Sequence, residues 1–215
     1  MTIIAPSLLA ADFLQLGAAC EMLNKSKAEW YHLDVMDGSF VPNISFGLPV
    51  IEQIRKATSK VCDVHLMIVH PEKYIEAFKK AGADILTVHY EACPNLSSTL
   101  KQIKAQGMKA GVAINPNTDI EVLTSYITEM DLVCVMSVFP GFGGQKFIEG
   151  TYERVIALKS IIQNAGANTL IEIDGGVTEA NAKALVEAGA DVLVAGTTVF
   201  KAADPIQTIT QLHHS

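Results

Sequence analysis

Short apolar runs rich in β-branched residues alternate along this chain with stretches whose apolar residues recur every three or four positions. The runs predict eight strands: Ile3–Pro6, Trp30–Met36, Val61–Met67, Asp84–His89, Lys109–Ile114, Leu132–Val138, Leu170–Asp174 and Asp191–Ala195. The helical period first appears at Phe13, Leu16, Cys20 and Leu23, then over Pro49–Ala57. A third helix is expected to open at His70-Pro71-Glu72, with Tyr74, Ile75 and Phe78 on its inner stripe and Gly82 closing it. Further helices are expected over Leu96–Ala105, stopped by Gly107, over Asp119–Tyr126 and over Tyr152–Gln163. Another follows over Glu179–Ala188 behind a Thr178 cap, and the last starts at Pro205.

That pattern amounts to eight βα units of about 27 residues, which means parallel strands joined by crossover helices. The segment Ala81-Gly-Ala-Asp84 recurs as Ala188-Gly-Ala-Asp191, with Ala165-Gly-Ala-Asn168 close to both, each time where a helix ends and a strand begins. Eight units with no break in composition favour a single-domain (β/α)8 TIM barrel spanning 1–215 over a doubly wound sheet. Hydrophobic residues make up 49% of the 215, enough for a large core. No apolar run approaches the roughly 18 residues of a membrane span, and the N-terminus lacks the basic region of a signal peptide, so a soluble, cytoplasmic protein is expected. A net charge of −7 without a Lys/Arg cluster argues against nucleic acid as a partner. Cys20, Cys62, Cys93 and Cys134 show no metal-binding spacing and are expected to be reduced.

The strand Trp-Tyr-His-Leu-Asp-Val-Met carries the first chemistry. Side chains alternate between faces, so His32, Asp34 and Met36 share one face, at a strand end closed by Asp37-Gly38. Taken alone, this segment reads either as a hydrogen-bonded His/Asp pair in an ordinary core or as half of a metal site. The next strand puts Asp63, His65 and Met67 on one face, and Leu170–Asp174 ends in Asp174 before Gly175-Gly176. Two imidazoles and two carboxylates at three strand ends, with no Lys or Arg in those segments, predict a bound metal cation.

Glycine-bearing loops follow three adjacent strands: Pro140-Gly141-Phe142-Gly143-Gly144, Gly175-Gly176-Val177 and Gly196-Thr197-Thr198, the last leading into a Val199-Phe200 turn. Their uncovered N–H groups suit a phosphate, which many barrels bind after the seventh and eighth strands. The absence of a G-x-x-x-x-G-K-[ST] motif gives no indication of a nucleoside triphosphate.

Five ordered segments resemble the ribulose-phosphate 3-epimerase family: Ile4–Phe13, His32–Asn43, Asp63–Met67, Met136–Phe147 and Ile171–Val177. The resemblance implies a barrel that interconverts D-ribulose 5-phosphate and D-xylulose 5-phosphate, with one divalent metal ion (Zn, Fe, Mn or Co) per subunit on His32, Asp34, His65 and Asp174. It implies Asp34 and Asp174 as the acid/base pair, one on each face of a planar enediolate. It also implies substrate contacts from Ser7, His65, Gly141, Phe142, Gly143, Gly144, Asp174, Gly175, Gly176, Gly196 and Thr197, with Met36, Met67 and Met136 lining the reacting carbon. The expected partner is a small-molecule sugar phosphate, and a homo-oligomer is the common assembly. Phe139 departs from the family pattern, which usually has Asn before Pro-Gly-Phe-Gly-Gly.

Three functions stay open at this stage. They are the pentose epimerase, an allulose-6-phosphate 3-epimerase with the same ligands, and a non-catalytic sugar-phosphate-binding barrel. A decarboxylase of the orotidine-phosphate type would need a lysine that His32–Gly38 lacks. His89 is a possible substrate contact or a structural histidine. Glu172 lies deeper on the inward face, and His70, His213 and His214 carry no expected chemistry.

Overall fold

A computed structural model describes residues 2–215. Eight parallel strands, β1 (Ile3–Pro6), β2 (Trp30–Met36), β3 (Val61–Met67), β4 (Ile85–His89), β5 (Lys109–Ile114), β6 (Leu132–Met136), β7 (Leu170–Asp174) and β8 (Val192–Ala195), form one sheet. Its hydrogen-bonded order runs from β2 to β8 in sequence, and β8 pairs with β1. The ring is nearly closed: Glu29 N–H donates to Ile4 O at 3.1 Å, and Ser7 bridges to His32. The chain is thus a single-domain (β/α)8 barrel.

Helices α1 (Leu16–Lys25), α2 (Leu48–Ala57), α3 (Ile75–Ala81), α4 (Leu96–Ala105), α5 (Thr151–Asn164), α6 (Glu179–Ala188), the single turn α7 (Thr197–Phe200) and α8 (Pro205–His213) connect the strands. Outward strand residues such as Leu33, Val64, Leu86, Val133, Ile171 and Leu193 pack under these helices in one core. Truncating any of them to Ala costs on the order of 2–5 kcal/mol. Inward residues split along the barrel axis. Trp30, Ile85, Leu132 and Val192 belong to an apolar cluster that plugs the interior. Nearer the C-terminal end the same faces carry His32, Asp34, Asp63, His65, Thr87, His89 and Glu172, all buried.

Three helical expectations are corrected. Asp119–Tyr126 is not an α-helix but one 3-10 turn, Ile120–Leu123, followed by hydrogen-bonded turns. Ile120, Val122, Thr124 and Ile127 are β-branched and lose rotamer freedom in a helix, and Asp119 caps the short turn instead through Glu121 N–H at 3.1 Å. The first helix begins at Leu16, because Asp12 caps a separate turn at Phe13–Gln15, which leaves Phe13 exposed against Phe46. His70 has φ +54° and opens only the turn Pro71–Lys73, so the helical period restarts at Ile75 and Tyr74 falls outside the inner stripe, 45% exposed.

At the N-terminal end a clasp repeats around the ring. The acid before an even strand accepts the second backbone N–H of the preceding odd strand: Glu29 from Ile4, Asp84 from Cys62, Asp131 from Ala110 and Asp191 from Ile171. Three of these acids also meet a basic side chain from the helix that leads into that odd strand, Arg55, Lys104 and Lys159 in turn, and Glu29 meets His213 of the last helix, α8. The recurring Ala-Gly-Ala-Asp segments are half of this device. Their glycines, Gly82 and Gly189, end helices at φ +109° and +122°, and their aspartates deliver the clasp. Among the described residues no helix is long and apolar enough to cross a membrane. The four cysteines are free and buried.

Candidate active site

Strand register decides what meets at the barrel mouth. His32 lies opposite Asp63, Asp34 opposite His65 and Met36 opposite Met67, while Asp174 of β7 pairs with Met136 and Val194. His32 Nε2 is 3.2 Å from Asp34 Oδ1 and 3.8 Å from Asp174 Oδ2. His65 Nδ1 is 3.1 Å and 3.6 Å from the same two oxygens. A tetrahedral shell with donors at about 2.1 Å has edges of about 3.4 Å, the middle of that range. The four expected ligands offer one donor atom each, all mutually within 4.8 Å. His32 Nε2 is buried and has no hydrogen-bond partner, an orphan lone pair or proton aimed at the cluster. Donor type, spacing and orphan atom all fit a divalent cation.

Each ligand is held from behind. Asp63 Oδ2 lies 2.6 Å from His32 Nδ1, and His89 Nε2 lies 2.9 Å from His65 Nε2. The Ser7 hydroxyl donates to Asp34 Oδ2 at 2.6 Å while accepting from Leu9 N–H at 3.3 Å. The Ser137 backbone N–H donates to the Asp174 carbonyl at 2.9 Å, anchoring the end of β7 to β6.

The electrostatics follow from burying acids beside imidazoles. Burial works against a charged His32, yet Asp34 and Asp63 outweigh it and raise the group well above the ordinary histidine value. His65 is raised in the same way, with Asp174 and Asp34 overcoming burial. Burial would lift Asp34, but His32 and His65 bring its carboxyl far below the usual range. Glu172 shows the opposite result: burial first, then the charge of Asp63, pushes it well above the carboxylate range. His89, lacking so strong a partner, is pushed down by burial to about 4. The cluster therefore demands positive charge, which protons on the imidazoles or a divalent cation can each supply.

Above the cluster opens a cleft of about 420 Å³, within the size range of small-molecule sites. Asp34 and Asp174 are in its wall with Met36, Met67 and Met136. Gly141–Gly144, Gly175-Gly176 and Gly196-Thr197-Thr198 also line it. Gly176 is required there: its φ is +61°, and a Cβ would lie 2.8 Å from the Phe147 nitrogen. Asn43 ties the Gly141 loop to the β2–α2 connection, donating to Gly141 O at 2.7 Å.

The match to known proteins is at the level of the whole barrel. The model of the ribulose-phosphate 3 epimerase family matches residues 3–200. This chain belongs to that family. It is 47% identical over 213 residues to the ribulose-phosphate 3-epimerase of Bacillus subtilis, covering 99% of this chain and 98% of the relative. It is 46% identical to the chloroplastic ribulose-5-phosphate-3-epimerase of Arabidopsis thaliana, covering 96% of this chain and 74% of the relative. Among solved structures a 3-hexulose-6-phosphate synthase superposes with a TM-score of 0.66 at 23% identity, over 100% of this chain and 99% of that one, a likeness of fold.

Every residue that the sequence nominated for the family's metal and acid/base roles lies in this one cluster. Ser7 is also here, but its proton points at Asp34. Phe139 is 53% exposed at the lip of the cleft, and its carbonyl accepts from Gln145 at 2.7 Å. His89 is not in the cleft wall, since it is fully buried behind His65. The supporting roles of Asp63, His89 and Glu91 carried no sequence signal of their own, because each depends on a contact between strands or with a loop.

Proposed function

We propose that this chain catalyses reversible epimerisation at carbon 3 of D-ribulose 5-phosphate, giving D-xylulose 5-phosphate. The observation that carries the reading is a pair of carboxylates from different walls of the barrel, meeting at the floor of a glycine-lined cleft. β2 and β7 are separated by β1 and β8 on one side and by four strands on the other. Epimerisation removes a proton from one face of a carbon and returns one to the other, so it requires two groups. In the ribulose to xylulose direction Asp34 takes the proton and Asp174 delivers one to the opposite face, with roles exchanged in reverse.

Ser7 holds Asp34 Oδ2 by a short hydrogen bond and sets that oxygen's direction. The phosphate sits against Gly143-Gly144, Gly175-Gly176 and Gly196-Thr197, and Phe142 and Gly141 close over the sugar. Met36, Met67 and Met136 exclude water without adding a competing base. When bound to His32, Asp34, His65 and Asp174, a divalent cation supplies Lewis-acid stabilisation of negative charge on the substrate. Mixed nitrogen and oxygen donors suit Zn, Fe, Mn or Co. The same reading takes the protein as cytoplasmic and homo-oligomeric.

The test is kcat/KM of the metal-loaded protein on D-ribulose 5-phosphate and D-allulose 6-phosphate. The pentose is expected to be the better substrate, with xylulose 5-phosphate as product. Preference for the hexose would make this the six-carbon epimerase, and no turnover of either would leave a binding protein.

A further inference from the structure

Behind His65 runs a chain of contacts that the proposed chemistry does not use. His65 shows Nδ1 to the acids and turns Nε2 inward, 2.9 Å from Nε2 of His89. The two ring planes lie within 25° of each other with centroids 5.0 Å apart, so the nitrogens meet edge to edge, as a hydrogen bond in the ring planes requires. His89 Nδ1 lies 3.2 Å from Glu91 Oε2. Glu91 Oε1 accepts from the Asn115 backbone N–H at 2.9 Å and from the Thr118 hydroxyl. His89 has no exposure, and the ring of Phe40 covers it at 4.7 Å. Among the described residues its two nitrogens have no polar partners besides His65 and Glu91.

The polarity of this chain is fixed from its outer end. An ionised carboxylate only accepts, so the His89 nitrogen facing Glu91 carries a proton. His89 Nε2 is then the lone pair of a neutral ring and has to receive a hydrogen bond from His65 Nε2. With a proton held at Nε2, Nδ1 is the His65 atom left to face Asp34 and Asp174, and its lone pair is what a cation there would take up. We propose that Glu91 and His89 form a relay that fixes the tautomer and ring orientation of His65 for a divalent cation. Both are positioning residues that never touch substrate. Outer partners of this kind commonly change metal affinity 10–100-fold when removed.

The proposal rests on reading His65 as a metal ligand, and the test separates the two ideas. The full chain, labelled with ¹⁵N-histidine, is titrated with zinc chloride while imidazole nitrogens are followed by long-range ¹H–¹⁵N NMR. The expected result is a proton on Nδ1 and a bare Nε2 in His89, a proton on Nε2 in His65, and a zinc-dependent shift at His65 Nδ1. A His89 proton on Nε2 overturns the relay. A His65 Nδ1 that zinc does not move overturns the ligand reading, and the relay with it.

Chelator competition for zinc gives a second readout. His89→Phe, which keeps the ring but has no acceptor, should bind zinc 10–100-fold more weakly, whereas His89→Gln, which accepts from His65 and donates to Glu91, should stay within about threefold. Wild-type affinity in a folded His89→Phe variant contradicts the proposal. If that variant does not fold, the tautomers of the wild-type protein still decide.

Discussion

His32 Nδ1 lies 2.6 Å from Asp63 Oδ2, and neither side chain has any exposure to solvent. A proton on Nδ1 satisfies this bond and makes Nε2, which faces Asp34 and Asp174, the atom whose lone pair a cation would take up. Asp63→Leu keeps the branched heavy-atom shape but removes the acceptor, so either ring tautomer becomes available. Zinc affinity measured by chelator competition should fall 10–100-fold. Unchanged affinity would mean that packing alone orients His32.

Acid stability should report on His89. Its folded-state value of about 4 lies below the ordinary 6.5, so the unfolded chain binds the proton first as pH falls. The contribution is fully present above pH 6.5, is lost between there and about 4, and is on the order of 3 kcal/mol. Thermal unfolding of metal-free wild type and His89→Gln across this window should show the variant losing less stability. Parallel curves would contradict the assignment. His32 and His65, with raised values, act in the opposite sense in both proteins: their contribution is lost as pH rises through those values.

The glycine wall of the cleft, where the proposed phosphate would sit, has a backbone requirement that substitution can expose. A Cβ at Gly176 would meet Phe147 N and Cα at 2.8 Å and 2.9 Å, and backbone cannot yield as a side chain tip does. Gly176→Ala should cost about 1–3 kcal/mol of stability. If the phosphate binds here it is held alike in ground and transition states, so steady-state kinetics should show KM rising more than kcat falls.

The clasps under the barrel separate a hydrogen bond from an ion pair. Asp191 accepts from Ile171 N–H at 2.9 Å, while its contact with Lys159 is 3.5 Å and partly exposed. Asp191→Ala strands a backbone N–H and should cost about 1–3 kcal/mol, but Lys159→Met should cost under about 1 kcal/mol. Denaturant unfolding measures both, and equal losses would contradict the ranking.

The period of the chain made the barrel legible, because each strand is a short β-branched run and each helix a longer amphipathic one. Alternation within β2, β3 and β7 was enough to put His32, Asp34, His65 and Asp174 on inward faces. Less visible were the junctions where a 3-10 turn interrupts the helical period, at Gln15, Tyr74 and Ile120. The partners behind the cluster were hidden for a different reason. His89 and Asp63 gain their meaning from register with β2 and β3, and Glu91 from a loop 24 residues away, a relationship that no single segment encodes.

The central claim is that two acids serve opposite faces of carbon 3. Metal-loaded protein is given D-ribulose 5-phosphate in deuterium oxide, and the xylulose 5-phosphate of the first turnovers is examined by NMR at that carbon. The account predicts deuterium there, since the hydrogen delivered comes from an acid already equilibrated with solvent. Product that keeps the substrate's own hydrogen at carbon 3 would contradict it.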